Sequence, residues 1–408
     1  MPQDQILTDT ERKKSRVLPA YSLHLDFVRG LAALVVFYGH LHLIVYGHTN
    51  AASSLHKSDP TSHPADATGL GHAAVVVFFV LSGYLVGGSV LRDLKRNAFS
   101  WPKYALRRVA RLWTVLIPVL VLGAIIDSLS LHFYSSTQIF TGGEFSRHVT
   151  GFPGIGVFLH YLFFLQTITH FAPVAFGSNG ALWSLSCEFW YYALFPLIAV
   201  CLFSPRTSKA VRIGLGILAI IGLWFVGSRI ALYFPLWCLG VVAYLIPPRV
   251  PQSWLKPVNL LLLLQFLAVL YILRSKAIGA LRADMVLAVS FTLFLYGILH
   301  LTGPARTSLY SRLAHGLSFP SYTLYASHIP MAIFLAAFTE ATFPQLFGHK
   351  VVVTALLFVL VYLYAGIQYL LFERNTDYFR RHVETLIFRQ RAEQREKAGA
   401  TPVETYAK

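Results

Sequence analysis

Ten stretches of this chain are apolar over lengths that a water-soluble domain does not tolerate, and they constrain the fold more than any motif does. Crossing about 30 Å of hydrocarbon at about 1.5 Å per residue takes roughly 20 residues. Runs of that kind lie near 25–46, 72–91, 105–126, 181–203, 211–227, 230–247, 257–273, 283–301, 318–340 and 350–372. Composition agrees: of 408 residues, 55% are hydrophobic and only 13% charged, with a mean hydropathy of +0.57. Aromatic residues make up 14% and gather near the ends of the runs, as interfacial belts do. The expected fold is an all-α polytopic membrane protein of about ten transmembrane helices. One further segment, GIGVFLHYLFFLQTI at 154–168, is too short to cross and carries His160 and Gln166, so it reads as re-entrant or interfacial.

Charge sets the expected orientation, because short cytoplasmic loops collect Lys and Arg. The 92–111 connection holds Arg92, Lys95, Arg96, Lys103, Arg107, Arg108 and Arg111 against the single acid Asp93. The 204–212 connection carries Arg206, Lys209 and Arg212 with no acid. Both read as cytoplasmic, and parity then places both termini inside, as expected of a bacterial inner (plasma) membrane protein. The connection RSKAIGALRAD at 274–284 runs against the rule on the outer side. The segment ERKKSR precedes a run too long for a signal-peptide core, so the first helix is expected to be retained. The division expected is a cytoplasmic segment 1–22, a transmembrane domain 23–373 and a cytoplasmic tail 374–408, where Phe379, Val383, Leu386 and Ile387 recur at helical spacing. The formal net charge of +16 is accounted for by topology and lipid headgroups, so no nucleic-acid partner is expected.

Cys187, Cys201 and Cys238 all sit in apolar runs, which argues against a disulfide framework or a cysteine-rich zinc site. His48, His56, His63 and His72, with Asp59 and Asp66, have spacings that match no compact ligand pattern, so no metal is expected.

Polar groups within spans are costly and commonly functional. In LDFVRGLAALVVFYGH at 25–40, Arg29 and His40 are eleven residues apart, almost three whole turns: about 16 Å of rise and about 20° of drift. They share one face, and Asp26 can pair with Arg29. A snorkelling arginine with an unrelated packed histidine explains the same spacing. In VVVFFVLSGYLVGG, Ser82 and Gly83 interrupt an aromatic run and read equally as a helix-packing notch or a tunnel lining. In RNAFSWPKYALRRVARLW, Ser100 and Pro102 mark a helix start after Arg96, and Arg107 and Arg111 share a face. This is either a topogenic loop or a phosphate cradle. Glu188 in ALWSLSCEFWYYALFP is an acid beside Trp183, Trp190, Tyr191 and Tyr192 and needs a partner or a task. In LSFPSYTLYASHIP, Ser321, Tyr325 and His328 fall on one face, with Tyr322 beside them.

Taken together, the five stretches resemble the integral-membrane acyltransferase-3 family. The L-D-x-x-R-G-x-A opening matches Leu25, Asp26, Arg29, Gly30 and Ala32, with His40 closing the helix; F-F-x-L-S-G-[FY]-L matches from Phe78 to Leu85. A basic residue, ten positions and Arg follow at Arg96 and Arg107, then W-S-L-x-x-E at Trp183 to Glu188 and S-Y-x-x-Y-x-x-H at Ser321 to His328. The resemblance covers roughly 22–374. It departs at the last helix end, where Glu373 and Arg374 precede Asn375 in place of proline, and no fused outer SGNH hydrolase-like domain, such as many relatives carry, is expected.

The resemblance implies transfer of an acyl group from cytoplasmic acyl-CoA, most often acetyl-CoA, to a hydroxyl of a carbohydrate or glycolipid at or beyond the bilayer. No tightly bound cofactor is implied, and a separate outer acyltransferase could receive the acyl group. A sugar hydroxyl needs a base as it attacks a thioester, and a desolvated histidine stays neutral and able to serve. His40 is the first choice for that base, with Arg29 and Glu188 as further catalytic candidates. Arg96, Arg107 and Arg111 are the candidates for the CoA phosphates, and Ser82, Trp183, Ser321, Tyr322 and His328 for the substrate path. The rival reading is a transporter or flippase of a glycolipid or small solute, and a small-molecule acceptor also stays open.

Overall fold

A computed structural model describes residues 20–47, 70–141, 154–168, 171, 176–247, 249–275, 280–301 and 309–397; His48, His56, Asp59, His63 and Asp66 lie outside them. Among the described residues the chain is helical, without strands, and nine helices are long and apolar enough to cross a membrane. We number the helices α1 Ala20–Tyr46, α2 Leu70–Lys95, α3 Trp101–Tyr134, α4 Ile155–Leu162, α5 Trp183–Phe203 and α6 Lys209–Leu245. There follow α7 Leu255–Ser275, α8 Ala280–Leu299, α9 Leu309–Ser318, α10 Ser321–Thr342, α11 Lys350–Leu371 and α12 Thr376–Lys397. Their outer surfaces are apolar: Val121, Ile125 and Leu129 on α3, Ile217, Ile220 and Trp224 on α6, and Val359, Leu363 and Ile367 on α11 are all exposed. Only a hydrocarbon surround makes such faces stable.

The difference between ten runs and nine helices lies in α6. Its 37 residues, if straight, would extend about 55 Å, nearly twice the hydrocarbon thickness. The helix breaks at Gly227 (φ 77°, ψ 178°), a conformation open almost only to glycine. Before the break, Gly216 faces Cys201, Gly222 faces Leu194 and Phe225 packs on Trp190, so this half runs antiparallel to α5. After it, the Tyr191 hydroxyl donates to the Ile230 carbonyl and Trp237 packs on Phe195, so the second half runs parallel to α5. The chain therefore reverses at Gly227, and each half has the length of one crossing.

α4, eight residues long, lies beside α3 and α5. The Trp113 indole N–H donates to the Leu162 carbonyl, and Ser186 and Trp190 donate to the Phe164 carbonyl, so 155–168 dips into the bundle before the chain returns. Phe164 makes the turn with φ 58°. Outside the spans, burial pushes the Tyr161 phenol up to about 12, and its oxygen accepts from the Phe176 amide. The returning loop is anchored where buried Asp127 accepts from both the amide and the hydroxyl of Ser178.

α10 is the centre of the site-bearing half, packed against α1, α3 and α11. Its small residues Ala326, Ala332, Ala336 and Ala337 are fully buried and let those helices approach closely. Pro320 separates it from α9.

Candidate active site

Arg29 is fixed by the sequence around it. A Cβ on Gly30 would sit 2.6 Å from the backbone and Cβ of Leu317, so only glycine lets α1 lie against the α9–α10 corner. That contact brings the Arg29 guanidinium onto the Ser318 hydroxyl, and Asp26 pairs with Arg29 at 3.2 Å while accepting from Ser318 at 3.2 Å. His315 Nδ1 lies 3.7 Å from the same carboxylate.

The basic start of α3 supplies the opposite wall. Ser100 is extended and Pro102 stands in the first turn, so the helix begins there and carries Arg107, Arg108 and Arg111 inward. Arg107 pairs with Asp93 at 3.2 Å. Arg108 lies over the rings of Tyr104 and Tyr192, and Arg111 over that of Tyr322. Arg111 also pairs at 2.9 Å with buried Glu373, whose other oxygen accepts from the amide and hydroxyl of Thr323 at 3.2 and 2.6 Å.

Arg29, Arg107, Arg108, Arg111, Tyr192, Tyr322 and Glu373 line a cavity of about 670 Å³. Six arginines, Arg29, Arg107, Arg108, Arg111, Arg374 and Arg380, face three carboxylates, Glu188, Glu373 and Asp377. Deeper in, Glu188 accepts from the Tyr192 hydroxyl at 3.3 Å, and Ser82 is hydrogen-bonded to Tyr192 and accepts from the Trp237 indole, both at 3.1 Å. Ser82 lines the cavity, whereas Gly83 is a notch, because any Cβ there would collide with the Trp237 carbonyl. A π-helical turn over Gly83–Gly87 follows Ser82, a distortion common beside functional groups.

The far part of the cavity is walled by Phe78, Ser184 and Tyr325, and the Tyr325 hydroxyl bonds Ser184 and donates to the Ala181 carbonyl. His328 lies one turn beyond, 6.4 Å ring to ring from Tyr325 and fully buried. His40 reaches it from α1: His40 Nδ1 is 2.9 Å from His328 Nε2 and the rings stack at 5.1 Å. The proton positions follow from the partners. His328 Nδ1 is 2.9 Å from the carbonyls of Leu324 and Tyr325, which only accept, so that nitrogen carries the hydrogen. With both rings neutral, His328 Nε2 accepts from His40 Nδ1–H, and the lone pair is left on His40 Nε2.

Of the residues singled out in the sequence, Arg29, Ser82, Arg107, Arg111, Glu188, Ser321 and Tyr322 meet on the cavity wall. His40 and His328 form a pair behind Tyr325. Arg96 is exposed after the end of α2, outside the cavity lining, and Trp183 stands away from it, stacked at 6.3 Å on His72. His72 is itself bonded to Asp284 at 2.8 Å, and Tyr233 donates to the same carboxylate at 2.7 Å. Sequence reasoning missed Arg108, Glu373, Arg374 and Arg380. Arg108 carried a signal in lying within the quoted basic run, as did Glu373 and Arg374 in lying within the closing motif of the last helix.

Among the described residues, nine apolar helices long enough to cross a membrane define a multi-pass membrane protein, and several of them wall a cavity whose mouth is lined by arginines. A family model described as "Acyltransferase domain" matches residues 23–372, and the chain belongs to this acyltransferase-3 family. An uncharacterized protein of Haemophilus influenzae is 29% identical over 126 residues, 30% of this chain and 47% of that protein. The acyltransferase MdmB of Streptomyces mycarofaciens is 31% identical over 131 residues, 32% of this chain and 29% of the relative. The matches thus span less than half of each of these relatives. No solved structure matches the chain.

Proposed function

We propose that this acyltransferase takes its acyl group from acyl-CoA bound at the arginine mouth and passes it to a hydroxyl at the His40–His328 pair. Acetyl is the simplest acyl group for the site, and a carbohydrate or glycolipid hydroxyl is the acceptor that the family resemblance favours. Membership of an acyltransferase family sets the transporter reading aside.

The observation that carries this reading is the juxtaposition of a cationic mouth with the His40–His328 pair, which lies behind Tyr325 at the cavity's far wall. CoA is a polyanion on a long, slender pantetheine arm. Arginine forks suit its phosphates, and the Nε atoms of Arg29, Arg107 and Arg108 are buried without a hydrogen-bond acceptor. The arm would run past Ser82, Tyr322 and Glu188 toward Tyr325. There the acceptor oxygen attacks the thioester carbon while His40 Nε2 takes its proton; the C–S bond then breaks and the imidazolium returns the proton to the leaving thiolate. His328 holds His40 in the tautomer that this step needs. The arginine mouth is read as cytoplasmic, because short basic connections collect on that side and acyl-CoA is found there.

The test is single-turnover release of CoA thiol from acetyl-CoA by the purified protein given extracts of surface glycans as acceptor. Thiol release matched by acyl gain on a glycan supports the reading, and acyl gain on a non-carbohydrate extract would move the acceptor assignment to a small molecule. A protein that releases no thiol with any extract and binds no acyl-CoA contradicts the donor assignment.

A further inference from the structure

The matched family region ends at residue 372, yet the cavity does not. Arg374, Thr376, Asp377 and Arg380 line its basic mouth, and three of the four belong to α12. α12 packs against α3, the helix that bears the other mouth arginines, while Tyr378, Phe379 and Leu386 are exposed. The helix thus turns Arg380 inward and leaves an apolar face to the membrane surface.

Arg380 is held by carboxylates of its own helix, 3.2 Å from Asp377 and 3.9 Å from Glu384. Pairs at such spacing on one helix are weak and give way readily to a bidentate phosphate. Glu373, by contrast, is spent on Arg111 and Thr323. The mouth therefore keeps a surplus of guanidinium groups around an open lumen, with one of them on a loose tether.

We propose that the chain end completes the donor site: Arg374, in the turn before α12, and Arg380, on α12, bind the phosphates at the nucleotide end of an acyl-CoA donor, Arg380 exchanging Asp377 and Glu384 for phosphate oxygens. This rests on the acyl-CoA reading above. Through Arg380 it places part of the donor specificity on α12, beyond the matched family region.

The experiment measures binding of CoA, 3′-dephospho-CoA and pantetheine to the full-length protein in phosphatidylcholine nanodiscs. Arg374→Gln/Arg380→Gln weakens CoA about tenfold or more, weakens 3′-dephospho-CoA less, and leaves pantetheine unchanged; Arg312→Gln, an exposed arginine of α9 outside the cavity, leaves all three unchanged. Asp377→Asn/Glu384→Gln, which frees Arg380, tightens CoA severalfold, and serves as the test if the arginine variant does not fold. A wild type that binds CoA, with a folded arginine variant matching it within twofold, or an unchanged affinity in the Asp377/Glu384 variant, overturns the assignment. So does an effect of the arginine variant that appears only in nanodiscs containing phosphatidylglycerol, which would give these arginines to lipid headgroups. A wild type that binds no CoA instead removes the donor reading on which the proposal stands.

Discussion

In the proposed mechanism the residue asked to do the most chemistry is His40, and it depends on a partner 288 positions away. His328 accepts from His40 only because its own Nδ1 is committed to the carbonyls that end the preceding turn of α10. Replacing His328 with alanine therefore frees the His40 tautomer, and turnover should fall on the order of tenfold or more while donor affinity is unchanged. His328→Gln, whose amide oxygen can accept from His40, should restore part of the loss; equal turnover in the alanine and glutamine variants would deny the positioning role. Glu373 makes a different prediction. Removing its carboxylate leaves the Thr323 amide and Arg111 without their acceptor, so Glu373→Ala should cost about 1–3 kcal/mol of stability, read as a lower melting temperature in detergent. The shared face of Arg29 and His40 was legible from their eleven-residue interval, and the Asp26 pair from its three-residue one. The histidine pair was not, because periodicity relates residues along a helix and says nothing of which neighbour a face meets.

At the scale of elements, the apolar runs located the crossing helices, although α3 runs on to Tyr134, well past its run; α6 shows what run counting sees and what it misses. Two runs separated by a glycine read as two crossings. The structure joins them through one non-helical residue, a reversal tighter than the loops expected between spans. Gly227→Ala forces a side chain into a backbone conformation that costs about 1–3 kcal/mol and should lower thermal stability by that amount; an unchanged melting curve would show that the reversal tolerates another geometry. Gly83 is the stricter case. Its Cβ would collide with the Trp237 carbonyl, backbone against backbone, so Gly83→Ala should reduce folded yield more than Gly227→Ala does, as size-exclusion recovery would show. The start of α3 at Ser100–Pro102 was readable in the sequence, since proline at a first turn has a local cause. The dip of 155–168 was readable only in outline: His160 and Gln166 flagged it, but Trp113 and Trp190, which hold it, come from other helices.

At the scale of the whole molecule, charge and hydropathy act together. Apolar outer faces hold the bundle in lipid, and the arginines gather where several helices end, so one end of the cavity is cationic and the other is closed by aromatic and hydroxyl groups. Donor affinity should therefore fall steeply with ionic strength, since exposed charges are screened within about 8 Å at physiological salt; a salt-independent affinity would point to an apolar mode of binding. The reach of the tail helix into the mouth was the least legible feature, because its amphipathic pattern predicts a surface helix without saying what that helix covers. The central claim is that a neutral histidine, reached from the arginine-mouthed cavity, activates the acceptor hydroxyl. It is tested most directly by single-turnover acyl transfer with His40→Ala. The account predicts a loss of about 10²–10⁴-fold with acyl-CoA affinity retained, and transfer at the wild-type rate by a folded His40→Ala protein would contradict it.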